Sequence, residues 1–212
     1  SSKVQKKIIP NNIFPSIESQ DGDINELGEI DTDRDGKNYE NDSFRVGNFD
    51  GKNYKAILTF DTTSLSSFAQ QIATVIGVFP SPADYPTPDN WMEYLAQNMV
   101  VEFAPTYGFS GNFIFPNYTI TSLSYTAPSV YECPIELNYS TPGISLPAEA
   151  YNYINKYGKT QIRISFKQNP ENYKFQLSMY SRLDSPSLLI ENNDGTRWQA
   201  IGEEGYIGEV QH

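Results

Sequence analysis

Apolar and β-branched residues alternate with polar ones in short runs along most of this chain, and each run is closed by Gly, Pro, Asn or Asp. A period of two places successive side chains on opposite faces, so these runs predict strands rather than helices. Strands are expected over 44–46, 54–60, 72–79, 100–103, 112–115, 120–125, 132–138, 161–166, 174–180 and 187–191. The run 72–79 also fits a helical face through Phe68, Ile72, Val75, Ile76 and Phe79. Its β-branched residues and the closing Pro80 favour a strand. Two segments break the pattern. Thr87-Pro88-Asp89 is a helix start, with Thr as cap and Pro in the first turn, followed by Trp91, Met92, Leu95 and Met99 at helical spacing. A second helix is expected over 147–157, stopped by Gly158.

Many short strands separated by turns, with no alternating long helices, predict an all-β sandwich and exclude a parallel α/β sheet. The 212 residues fit one domain, over 21–191, flanked by an N-terminal extension over 1–20 that could donate a strand and a polar C-terminal extension over 192–212. Composition agrees with strands: 15 Tyr and 12 Phe, with 14 Gly and 14 Pro to make turns.

A formal charge of −11 repels phosphate backbones and anionic lipid, so nucleic acid is not expected as a partner. No run of about 20 apolar residues is present, so membrane insertion is not expected either. The single cysteine, Cys133, makes no internal disulfide and is expected to be a small buried hydrophobe. Histidine occurs only at His212, which leaves Ser-His-Asp and Cys-His catalysis without a base and removes the usual zinc ligands. No glycine loop for phosphate and no local carboxylate pair stands out, so the chain is expected not to be an enzyme.

The clearest candidate for chemistry is Asp31-Thr-Asp33-Arg-Asp35-Gly36-Lys37-Asn-Tyr-Glu-Asn-Asp42. Asp31, Asp33 and Asp35 fall at positions one, three and five of a calcium loop, Gly36 at six, Lys37 at seven, where a backbone carbonyl ligates, and Asp42 at twelve. Carboxylates this close repel one another unless a hard cation sits among them. An acidic solvated turn explains the same residues without metal. Position twelve is Asp where an EF-hand has Glu, and no long helices flank the loop, so calcium would sit in a loop grafted onto a sheet protein.

Several elements carry a family likeness. Asp21-Gly22-Asp23-Ile24, Phe44-Arg45-Val46-Gly47 and Tyr54-Lys55-Ala56-Ile57-Leu58-Thr59-Phe60-Asp61-Thr62-Thr63-Ser64-Leu65 resemble the DNRLRE-type domain of secreted and cell-surface prokaryotic proteins, related to carbohydrate-binding module family 96. Phe109-Ser110-Gly111-Asn112, Tyr153-Ile154-Asn155 with Gly158, Thr160 to Phe166, and Pro186-Ser187-Leu188-Leu189-Ile190-Glu191 follow in the same order. The resemblance spans Asp21 to Glu191 and implies a jelly-roll β-sandwich, an extracellular or cell-surface location and no catalysis. The insertion from Ser81 to Met99 and both tails depart from it.

Within these motifs Asp61 reads as a turn cap at a strand end. Arg163 points away from Ile162 and Ile164, which predicts solvent exposure or a cross-strand partner. Two functions remain open. One is a calcium-stabilised structural or adhesive subunit that assembles with copies of itself or other surface proteins, through tail segments such as Lys7-Ile8-Ile9 and Tyr206-Ile207 added to a neighbour's sheet. The other is recognition of a polysaccharide by Trp91, Tyr94, Trp198 and Tyr85, whose rings can cover the apolar faces of sugars. Core burial is the competing reading for Trp91. Sequons occur at Asn41, Asn117 and Asn138.

Overall fold

The computed structural model describes residues 13–31, 43–63, 65, 71–82, 89–109, 120, 122–138, 143–168, 174–179 and 186–192. One sheet runs β1 (Ile13–Pro15), β14 (Ser187–Asn192), β6 (Gln71–Ile76), β11 (Gly143–Leu146) and β10 (Glu136–Asn138). A larger sheet runs β7 (Val78–Pro82), β13 (Lys174–Met179), β4 (Phe44–Phe49), β5 (Lys52–Asp61), β12 (Lys159–Phe166), β8 (Met99–Phe103) and β9 (Tyr131–Pro134). To it β2 (Gly22–Asn25) adds by pairing with β5, and β3 (Ile30–Asp31) by pairing with β2. All these ladders are antiparallel, as the alternating pattern predicts.

One core joins the two sheets. Phe14, Ile76, Ile144, Leu188 and Ile190 from the smaller sheet meet Phe44, Leu58, Phe60, Val101, Phe103, Ile162 and Phe175 from the larger. Phe44, Phe60, Phe103 and Phe175 are fully buried, and each contributes about 1.5–3 kcal/mol by leaving water. Residues 13–20 belong to this unit rather than to an extension. Ile13 pairs with Leu189 within the same chain, and Ser16 bridges Phe60.

The turn between β4 and β5 follows from its residues. Asp50 and Gly51 take φ of 53° and 81°, the left-handed pair that a two-residue hairpin requires. The run over 72–79 is indeed strand, but Gly77 divides it, so β6 lies in one sheet and β7 in the other. Ile135 likewise separates β9 from β10.

Three expectations are corrected. Ser122–Thr126 is a short helix, α2, where a strand was expected over 120–125. The helix within the Ser81 to Met99 insertion, α1, covers Trp91–Asn98 and takes Asn90 as its cap, so it begins later than the Thr87-Pro88 signal predicts. The segment beginning at Pro147 is a 3₁₀ helix over Ala148–Tyr153, shorter than the helix expected over 147–157, and Pro147 precedes it. The strand expected over 112–115 lies outside the described residues. Among the described residues no helix is long and apolar enough to cross a membrane.

Candidate recognition cleft and the polar layer that supports it

The larger sheet is covered on its outer face as well. β5 therefore alternates between two interiors, with Ala56, Leu58 and Phe60 in the inter-sheet core and Ile57 packing with Ile24 and Ile120 on the far side. β12 does the same, with Ile162 and Ile164 inward and Gln161 and Arg163 on the far side, all buried. This covering corrects the expectation of a solvent-facing Arg163. Alternation fixed the direction of the side chain; the residues 105–109 and α2, remote in sequence, decided what it meets.

Arg163 is 3% exposed, and its cross-strand partner is Glu102, as its register opposite that residue requires. Nε and Nη2 of Arg163 donate to the two Glu102 carboxylate oxygens at 2.8 Å each, while Nη1 donates to the Ser124 carbonyl at 2.8 Å. The guanidinium carbon lies 4.2 Å from the centre of the Phe109 ring. Burial raises the Glu102 pKa, but the Arg163 hydrogen bonds and charge outweigh it and leave it below the ordinary carboxylate value. Lys55 donates to the Tyr125 carbonyl at 3.0 Å and lies over the Tyr125 ring. Burial, helped by the charge of Arg163, lowers its pKa. Two cations thus hold consecutive carbonyls of α2.

A second, partly buried pair joins β2 to β4, with Asp23 buried and Arg45 half-exposed. Asp23 accepts from Arg45 Nε at 3.0 Å, Arg45 Nη2 at 2.8 Å and the Arg45 backbone N–H at 2.9 Å. Between the pairs, Asp21 accepts the Thr59 N–H at 2.9 Å, and Gln161 donates to the Thr59 hydroxyl while accepting the Phe109 N–H. These contacts fix the loop from Pro105 to Phe109 against the sheet.

That loop forms one wall of a cleft of about 690 Å³. Thr106 and Tyr107 line one side, and Asn152, Tyr153, Lys156 and Tyr157 the other. Both prominent tyrosines sit on anchored turns. Gly108 donates its N–H to the Pro105 carbonyl at 2.8 Å and takes a φ of 86°, which presents Tyr107 at 49% exposure. Asn155 Oδ1 accepts the Tyr157 N–H at 3.0 Å and Asn155 Nδ2 donates to the Lys159 carbonyl at 3.2 Å, leaving Tyr157 93% exposed. Behind them Tyr153 stacks on Tyr131 with ring centres 4.2 Å apart. The Lys156 ammonium lies 4.4 Å over the Tyr151 ring. Among the described residues lining the cleft, Lys156 and Lys159 are charged and none is a carboxylate. Asp61, opposite Lys159 across the ladder, offsets part of that charge.

The residues singled out from sequence lie elsewhere. Asp31 ends β3, paired in backbone register with Asp23, while Asp33, Asp35, Lys37 and Asp42 lie outside the described residues. The strands on either side of the segment from 32 to 42, β3 and β4, belong to one sheet. Among the described residues no three His, Cys, Asp or Glu converge as a metal site. Trp91 and Tyr94 are half-buried on α1, with ring centres 6.0 Å from Phe175 and 5.5 Å from Phe166. The Tyr94 hydroxyl donates to the Gln168 carbonyl at 2.9 Å. Trp198 and Tyr85 lie outside the described residues. Asp61 is the turn cap its motif predicts, accepting from the Thr63 N–H at 3.1 Å and hydroxyl at 2.6 Å. Cys133 is buried, with its thiol pushed up to about 12 by that burial. Comparison with protein-family models and with curated proteins finds no match for the chain.

Proposed function

We propose that this chain is a non-catalytic structural or adhesive subunit of an extracellular assembly, stabilised by calcium in the segment from Asp31 to Asp42 and associating with copies of itself or neighbouring surface proteins. The observation that carries the reading is the cleft: exposed tyrosines on pinned turns, set in a rigid sheet protein, make a preorganised recognition surface. The charged side chains of the larger sheet serve the scaffold, since Arg163 with Glu102 and Arg45 with Asp23 join strands within it while Arg163 and Lys55 hold the α2 carbonyls over it. The strands flanking the aspartate-rich segment, β3 and β4, belong to one sheet, and fixing the ends of a segment lowers the entropy lost on closing around a cation, which supports the calcium role. A jelly-roll connectivity and a cell-surface location would follow from the resemblance to DNRLRE-type domains.

Sedimentation velocity and electron microscopy of the full chain, in calcium and in chelator, test this reading. Calcium-dependent association supports it, and a monomer under both conditions at high concentration opposes it. A second reading, polysaccharide binding, is favoured by the same cleft rather than by α1, since Tyr157 offers a whole ring face to solvent. A glycan array on the wild-type chain and on Tyr157→Ala tests it through the loss of any bound saccharide.

A further inference from the structure

Resting on the self-association reading, we propose that the cleft between Tyr107 and Tyr157 receives the acidic C-terminal segment of a second copy of this chain, centred on Glu203-Glu204-Gly205-Tyr206-Ile207-Gly208-Glu209. Residues 193–212 follow β14 and carry Asp194, Glu203, Glu204 and Glu209 against the single Arg197. On a protein of net charge −11, the cleft lining is locally cationic through Lys156 and Lys159. Opposite charge at the rim steers the segment in and sets its register.

The apolar chemistry matches too. In sequence, Tyr206 and Ile207 set an aromatic and an aliphatic residue side by side between Gly205 and Gly208, with Glu204 and Glu209 beyond. Tyr107, Tyr153, Tyr157 and Val130 supply ring faces and an exposed aliphatic surface around a volume of about 690 Å³, the size that accommodates a short peptide's side chains. Lys156 and Tyr157 already stand in place, so little ordering is needed on the cleft side. β14, which precedes the segment, belongs to the smaller sheet, whereas the strand residues of the cleft belong to the larger. Passage into a neighbour makes a head-to-tail contact that propagates.

The test is a charge swap read by sedimentation velocity on full-length chains in calcium. Lys156→Glu in the cleft, or Glu203→Lys with Glu204→Lys in the tail, should each weaken association by about tenfold, with a reduced salt dependence. Mixing the two variants should restore it, because each tail then meets a cleft of opposite charge. Tyr157→Ala should weaken association without altering thermal stability, since its ring is exposed. Association that survives all these changes leaves self-assembly standing and overturns the cleft as its acceptor. A wild-type chain that stays monomeric overturns both. Unchanged association together with Tyr157-dependent capture on a glycan array also overturns it, and assigns the cleft to a saccharide.

Discussion

Replacing Arg163 with Met keeps the length of the side chain but strips its charge from a site where the residue is 3% exposed. Glu102, with only 13% of its side chain exposed, is then left without the guanidinium that holds both of its oxygens. Breaking one side of a buried pair costs about 3–5 kcal/mol. The Ser124 carbonyl loses its donor as well, at about 1–3 kcal/mol, part of which α2 recovers by moving toward water. A net loss of about 4 kcal/mol is expected. With a urea m-value of about 2.5 kcal/mol/M, the unfolding midpoint should fall by about 1.5 M at unchanged m. The double variant Glu102→Leu with Arg163→Met should cost much less than the two single changes together, because neither member of the pair is left as an unpaired charge. A single-variant loss below about 1 kcal/mol, or a double variant as damaged as the sum, would refute the claim that Arg163 and Glu102 act as a coupled buried pair across β12 and β8.

The same pair sets a pH dependence. The folded pKa of Glu102 lies below its ordinary value, so its contribution is full above the unfolded pKa of 4.5 and is lost as pH falls through the folded pKa. Acid titration of stability should therefore be shallower in the double variant. Gly28→Ala should destabilise more than Gly51→Ala. Both need positive φ, at 83° and 81°, but a Cβ at Gly28 would lie 2.9 Å from Ser122 Cβ, whereas at Gly51 it meets open space. Urea melts of the two variants check the order. Cys133 should resist iodoacetamide at pH 8 in the folded chain and react once unfolded in urea, since its thiol is held up near 12. Asp31→Ala with Asp33→Ala should lower the melting temperature in calcium and leave it unchanged in chelator.

Local chemistry made much of the sheet legible. Asp50-Gly51 announced the hairpin between β4 and β5, and Phe60-Asp61-Thr62-Thr63 announced the end of β5. Segments whose structure depends on distant partners were harder. The alternation of Ile120, Ser122, Ser124 with Leu123 and Tyr125 resembles a strand, yet Arg163 and Lys55 capture the Ser124 and Tyr125 carbonyls and a helical turn forms above the sheet. Arg163 lies on the face that alternation predicts and has the cross-strand partner that was the alternative to solvent, but it is buried, because period two says nothing of a second layer.

The cleft was not legible from any local motif. Its two exposed tyrosines lie 50 positions apart in the chain. One signal was available: Tyr107-Gly108 and Tyr157-Gly158 each put an aromatic ring just before a turn glycine, a place where a ring has nothing of its own chain to cover it. Trp91, the more conspicuous aromatic, instead spends part of its surface on Phe175.

Sedimentation velocity of the full chain over a wide concentration range, in calcium and in chelator, bears most directly on the account. A weight-average mass that climbs with concentration in calcium and drops toward that of one chain in chelator is the predicted result. A mass of 23.9 kDa at every concentration in both buffers would contradict it.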